Sequence, residues 1–240
     1  DRYPMGKFFK VSPRTFYNRD MSEFALLIKC RFVDLMYTGA CGNPYLPLSR
    51  CEAVSKERVI DNGRILRAAV VQCVLTDIDL RIMKAEYSFS DFYIAEVWAS
   101  HYGPLPDEFK DTLMDYFRKK TQLDGDPESF YEYTKAKNRL NSSYGMMVTD
   151  IAKPKVIYVH GEYKTEPIDI DDALEHYYKS RNSFLSYQHG VWATANARLR
   201  LRRGLWLVGR DNVYDDTDSI KCRGDHSADF DRLNAENKKI

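Results

Sequence analysis

Tyr214-Asp215-Asp216-Thr217-Asp218-Ser219 places three carboxylates within four residues, between the apolar Val213 and Ile220. In an extended chain, side chains two apart point the same way. Asp216 and Asp218 are therefore expected on one face, with Asp215 and Thr217 on the other. Two carboxylates side by side repel each other unless a cation lies between them. Divalent ions held in this way suit phosphoryl transfer, which needs both the attacking and the leaving oxygen bridged. A bare Asp-x-Asp is more often an acidic surface turn. The apolar residues on both sides of this one weigh against that reading.

A second group lies upstream. Lys137, Asn141 and Tyr144 fall at i, i+4 and i+7, one stripe of a helix that Phe130 and Tyr133 extend. Aromatic stripes are normally core packing, but an unpaired ammonium is costly to bury. A stripe interrupted by Lys137 and Asn141 is therefore expected to face a groove. There a lysine can hold a triphosphate while a ring meets a base.

The elements that must position these residues follow from pattern. Residues 24 to 37 alternate through Phe24, Leu26, Ile28 and Cys30, which predicts a strand. Residues 40 to 65 carry Asn43-Pro44 and Asp61-Asn62-Gly63 and read as turns. Residues 68 to 76 predict a strand, and Thr76 with Asp79 resembles a capping box opening a helix to about Tyr87. A strand near 93 to 100 ends at Gly103-Pro104-Leu105-Pro106. Phe109, Leu113, Tyr116 and Phe117 then recur at helical spacing. Asp126 as N-cap and Pro127 as first helical residue open a second helix to about Ser143. So short a connection makes the two helices antiparallel. Residues 155 to 168 predict a hairpin turning at Gly161. Helices are expected over 171–179 and 190–203, and a strand over 205–208.

Composition bounds the class. The chain has 240 residues, 44% hydrophobic and 30% charged, which describes a folded globular protein rather than a disordered one. No apolar run approaches bilayer length, and a soluble cytoplasmic protein, or a piece whose N-terminus lies elsewhere, is expected. The five cysteines form no C-x-x-C pair, so free thiols are expected rather than a zinc knuckle or disulfide framework. Net charge is only +1, yet the basic residues cluster: Arg118, Lys119 and Lys120; Lys135, Lys137 and Arg139; and Arg198, Arg200, Arg202, Arg203 and Arg210. A charge run of this kind touches phosphate about as often as it is a solvated face.

The motifs also resemble a known family. Lys137-Asn-Arg-Leu-Asn141-Ser142-Ser-Tyr144-Gly145 is similar to the Lys-x-x-x-Asn-Ser-x-Tyr-Gly pattern of family B DNA polymerases, and Tyr214 to Ser219 to that family's Tyr-x-Asp-Thr-Asp-Ser. Between them, Thr194-Ala-Asn-Ala197-Arg198 resembles its Thr-x-x-(Gly/Ala)-Arg element. The order matches, and the likeness covers nearly the whole chain. It implies an α+β fold: a right-hand polymerase palm, an antiparallel sheet with helices, plus a two-helix antiparallel fingers hairpin. Residues 1–104 would be palm with an insertion like the terminal-protein region of protein-primed enzymes. Residues 105–148 would be fingers, and 149–240 palm with the catalytic hairpin and the approach to the thumb.

The same resemblance assigns roles. Asp216 and Asp218 would hold two Mg2+ ions, with Mn2+ as the alternative, and act with Lys137 in catalysis. Lys120, Lys137, Asn141 and Tyr144 would bind the incoming dNTP, Tyr144 forming the floor of the pocket. Thr194, Arg198, Ser142 and Gly145 would contact primer-template DNA. A monomer is implied, phage- or plasmid-encoded and acting in the host cytoplasm, with a terminal protein primer as a further partner.

Two departures stand against the pattern. Asp215 occupies a position where small or neutral residues are usual, adding a third carboxylate near the metals. The family's Asp-x-x-Ser-x-Tyr-Pro motif is absent from the 240 residues, although Tyr3-Pro4-Met5-Gly6-Lys7-Phe8 resembles the stretch that follows it. The chain is therefore expected to be a fragment, inactive alone. A degenerate or split palm that grips DNA without chemistry remains an alternative. An unrelated metal-dependent nuclease leaves the Lys137 stripe unexplained. The reverse-transcriptase Tyr-x-Asp-Asp is offset by one residue.

Overall fold

The computed structural model describes residues 2–181 and 184–237. The chain forms two compact units. One comprises Asp1–Pro104 with Trp192–Ile240, and the other Leu105–Val191.

The first unit is built on an antiparallel sheet. Its strands are β1 (Tyr3–Val11), β2 (Phe24–Tyr37), β3 (Cys51–Val54), β4 (Arg58–Asp61), β5 (Arg64–Thr76), β6 (Tyr87–Ser88) and β7 (Asp91–Gly103). The order is β1-β7-β2-β5-β3, with β4 on β5 and β6 on β2. Helix α1 (Pro13–Asn18) follows β1, and α2 (Asp77–Glu86) follows β5. The predicted alternation in β2 holds: Leu26, Ile28, Cys30 and Phe32 are buried against Val71, Cys73 and Leu75 of β5 and Val97 and Ala99 of β7. One face of the sheet is thus apolar, as an antiparallel sheet packed on one side requires. The region read as turns, 40 to 65, contains β3 and β4. Both are four-residue strands whose pairing with β5 overrides their turn-rich composition. The strands between residues 24 and 76, within the 1–104 stretch expected to be palm with an insertion, lie in the same sheet as β1 and β7.

In the second unit, α3 (Asp107–Gln122) and α4 (Phe130–Met147) pack on one another, as the short turn between them requires. Asp126 caps the intervening 3-10 turn by accepting from the Glu128 amide. Strands β8 (Lys155–Val159) and β9 (Glu162–Glu166) form the expected hairpin, turning at His160 and Gly161, both at positive φ. Helix α5 (Ile170–Lys179) is capped by Asp169. Residues 149–191 fall in this unit with the α3–α4 pair, so the unit extends beyond the expected boundary at 148.

Helix α6 (Tyr187–Val208) crosses the unit boundary. The strand expected over 205–208 does not form, because the helix runs through it. Trp192, Ala195, Arg202, Leu205 and Val208 are buried at helical spacing, so the apolar run Leu205-Trp-Leu-Val208 is the last turn of a buried stripe. The chain continues through β10 (Asn212–Asp216), β11 (Ser219–Cys222) and α7 (Ser227–Asn237). No helix among the described residues is long and apolar enough to cross a membrane.

Candidate active site

The β10–β11 hairpin pairs Asp216 with Ser219, which leaves Thr217 and Asp218 as its two-residue connection. Thr217 sits at φ 47°, a left-handed conformation unfavourable for a β-branched residue by roughly 1–3 kcal/mol. Local bonds hold the tip in place. The Asp218 amide donates to the Asp216 carbonyl at 2.5 Å, and Ser219 Oγ donates to the same carbonyl at 3.2 Å. Thr217 Oγ1 donates to Asp216 Oδ1 at 2.9 Å. Strand alternation therefore does not relate the two carboxylates, since Asp216 ends a strand and Asp218 lies in the turn. Both are exposed at the tip.

Asp215 turns the other way. It is half-buried, opposite Ile220, and both its carboxylate oxygens lie 3.1 Å from Asn43 Nδ2. Asn212 Nδ2 donates to Oδ1, also at 3.1 Å. The third carboxylate expected near the metals is instead bound by two side-chain amides.

Gly204 lets the hairpin approach α6. A Cβ there would lie 2.6 Å from Ile220 Cδ1 and 3.5 Å from Phe230 Cε1. Beside Asp218 a cleft of 730 Å³ is lined by Tyr3, Asn196, Arg200, Ile220 and Phe230. Asn196 Nδ2 is buried there with no hydrogen-bond partner among the described residues. In the sequence Asn43 reads only as a turn signal, Asn196 only as a variable position inside the Thr194–Arg198 element, and Asn212 is unmarked.

Arg198 and Arg202 of α6 are committed inside the fold. Arg198 Nη2 lies 2.9 Å from Asp79 Oδ1, and its Nε donates to the Tyr45 hydroxyl at 3.0 Å. Arg50 Nη2 reaches the other Asp79 oxygen at 2.8 Å. Asp79 also closes the predicted capping box, accepting from the Thr76 amide at 3.1 Å. Burial pushes the Asp79 carboxyl up, but Arg198 and Arg50, with the Tyr45 hydrogen bond, outweigh it and hold the group down at about 2. The Tyr45 hydroxyl is pushed up to about 12, first by burial and then by Asp79. Arg202 is 4% exposed, with Nε 3.4 Å from Glu86 Oε1, an oxygen that also accepts from Trp206 Nε1 at 3.0 Å. Burial raises the Glu86 carboxyl. Arg203 pairs with Glu236 at 2.6 Å. Arg198 was expected on the template-primer backbone; its guanidinium joins α2, the loop before Arg50 and α6. Thr194 is half-buried on α6 between the buried Trp192 and Ala195.

In the second unit the expected non-core stripe is exposed. Lys137, Asn141, Ser142, Tyr144 and Gly145 are exposed on α4, while Ala136 and Met147 are buried. The Lys137 ammonium lies 5.7 Å from the Tyr133 ring centre, one turn back. A Cβ at Gly145 would meet nothing within 4 Å. Lys120 is half-buried near the end of α3.

Asp216 and Asp218 offer hard oxygen donors in the open. That suits Mg2+, which is usually held by one or two carboxylates, several waters and substrate phosphates rather than by a closed protein cage. Among the described residues no three acidic, His or Cys side chains gather into a metal-ligating group.

Solved structures of phi29 DNA polymerase share this fold. Its complex with primer-template DNA matches with a TM-score of 0.65 at 18% identity, covering 93% of this chain and 35% of the other. Its complex with primer-template DNA and incoming nucleotide substrates gives 0.63 at 18% identity, covering 93% and 36%. Its orthorhombic crystal form gives 0.64 at 18% identity, covering 95% and 37%. The chain thus spans little more than a third of that polymerase's length. The expected α+β architecture is the one observed. No family model and no curated protein sequence matches the chain.

Proposed function

We propose that this chain is the fingers and C-terminal palm of a template-directed DNA polymerase, adding deoxynucleoside monophosphates from dNTPs to a primer 3′-hydroxyl. The observation that carries the reading is the β10–β11 tip. Two exposed carboxylates flank a strained threonine, in a chain whose fold is shared with a DNA polymerase over nearly its whole length. Backbone strain kept at a surface hairpin points to a use for the tip's shape.

In this reading Asp216 and Asp218 hold Mg2+, or Mn2+ in its place. When bound, such ions favour ionisation of the primer hydroxyl and neutralise charge on the departing pyrophosphate. Lys120 and Lys137 supply positive charge to the triphosphate and stabilise it as charge develops on the leaving oxygens. Tyr144, with Asn141 beside it, presents a ring to the incoming nucleotide. Ser142, Gly145 and Thr194 face the primer-template. Arg198 acts from behind, fixing α6 against α2. The partners are primer-template DNA and dNTP, with a protein primer as a further candidate, in phage or plasmid replication within a host cytoplasm. A further carboxylate for the metals would come from outside these 240 residues, so the chain alone would not extend primers.

The test uses the parent polymerase carrying Asp218→Asn. Primer extension should fall by on the order of a thousandfold with DNA binding nearly intact. Extension at the wild-type rate would end the assignment.

A further inference from the structure

We propose that Asp215 is a positioning residue for the hairpin tip, and that Asn43 is the partner through which it acts. The proposal rests on the polymerase reading for its purpose, but its geometry stands apart from that reading. Asp215 sits one residue from Asp216 and accepts three hydrogen bonds: Asn43 Nδ2 to each oxygen, and Asn212 Nδ2 to Oδ1, all at 3.1 Å. A carboxylate offers about four acceptor sites, so most of its capacity is taken by amide donors. A cation would have to displace those donors to bind.

Asn43 is itself anchored. Its carbonyl accepts from Arg202 Nη1 at 2.6 Å and from Cys41 Sγ at 3.6 Å. Arg202 is buried, paired with Glu86, and lies 5.3 Å from the Tyr45 ring centre. A continuous run of polar contacts therefore leads from the buried Glu86–Arg202 pair, through both ends of Asn43, to the carboxylate adjoining Asp216. Charge-assisted bonds of this kind are roughly twice as strong as neutral ones. They tie β10 to the loop before β3, whereas Tyr214 and Asp216 on either side of Asp215 are exposed. The residue that departs from the usual pattern thus supplies the hairpin with a fixed base.

The test uses the 240-residue chain with Mn2+ as the probe, bound ion being read by electron paramagnetic resonance. Amide hydrogen exchange over residues 212–222 gives a readout that needs no metal. Asn43→Ala and Asp215→Ala should each weaken Mn2+ binding about tenfold, as loss of a residue supporting a ligand does. Each should also speed exchange in the hairpin. The double variant should be no worse than Asp215→Ala alone, because that change already removes the Asn43 link together with the Asn212 one. Asp215→Asn keeps an oxygen for Asn43 and should restore both readouts to within about threefold of wild type. The proposal is overturned if Asp215→Asn binds Mn2+ as poorly as Asp215→Ala while Asn43→Ala is silent, since Asp215 would then be a ligand. Unchanged exchange in Asn43→Ala would overturn it as well. If Asp216→Asn and Asp218→Asn left Mn2+ binding untouched, the polymerase reading would fall, and hydrogen exchange would still judge the clamp.

Discussion

Asp79 is the residue on which the first unit's polar interior converges. Its side chain is 1% exposed and meets Arg50 and Arg198 directly. A carboxyl so placed titrates lower in the folded chain, at about 2, than its ordinary 3.8. Its stabilising contribution is complete above the unfolded value and is lost as pH falls through the folded one. The difference amounts to about 2 kcal/mol. Glu86 and Asp77 are raised, chiefly by burial, and act with the opposite sign, gaining as pH falls. The acid response of the wild type is thus a sum of opposed terms, and the Asp79 part is isolated by comparison with Asp79→Asn. That variant should lose roughly 3–5 kcal/mol near neutrality, because two guanidiniums stay behind without their anion. The gap between variant and wild type should narrow between about pH 4 and pH 2, as measured by urea unfolding at each pH. A gap constant across that window would mean that Asp79 is not ionised in the fold.

At the scale of elements, Gly204 decides how near the hairpin and α7 come to α6. In Gly204→Ala the new methyl meets Ile220 Cδ1 at 2.6 Å, the far end of a flexible side chain, so Ile220 turns and the hairpin shifts. Alanine also favours the helix over glycine by about 1 kcal/mol. The expected result is a melting temperature near that of wild type together with slower extension by the parent enzyme, up to about a hundredfold, since small misplacements of reacting groups cost that much. Extension at the wild-type rate would show that the tip tolerates the shift. The same elements show what could be read from sequence. The capping box at Thr76 and the turn at Gly161 each depend on a few adjacent residues and formed as expected, whereas Asp126-Pro127 opened a 3-10 turn ahead of α4 rather than the helix itself, and His160 joined the turn. The end of α6 and the short strands β3 and β4 depend on partners far along the chain. Leu205-Trp-Leu-Val208 has too few residues to separate a helical from an extended period. The Asp-x-Asp pair stands out in the sequence, but its geometry does not, because Thr217 at positive φ breaks the strand alternation. The role of Asn43 lies beyond local pattern, as its partner Asp215 is 172 residues away.

Over the whole molecule, charge balance separates the basic residues into two kinds. Arg198, Arg202 and Arg203 are paired with Asp79, Glu86 and Glu236, Asp79 being shared with Arg50, so these three add less to the positive field than the sequence suggests. Lys137 is exposed, with its ammonium over the Tyr133 ring. A lysine in that state can hold either a nucleotide's phosphates or the DNA backbone, and salt distinguishes the two. Each backbone phosphate neutralised adds about 0.9 to the slope of log affinity against log salt for duplex DNA. For Lys137→Ala in the parent polymerase, the expectation is a raised KM for dNTP and a lowered kcat, with the salt slope of primer-template binding unchanged. A lysine that meets the triphosphate contributes as charge develops there and takes no part in duplex association. A slope reduced by about 0.9 with dNTP use preserved would instead make Lys137 a backbone clamp, and the nucleotide pocket would have to be sought elsewhere than on α4.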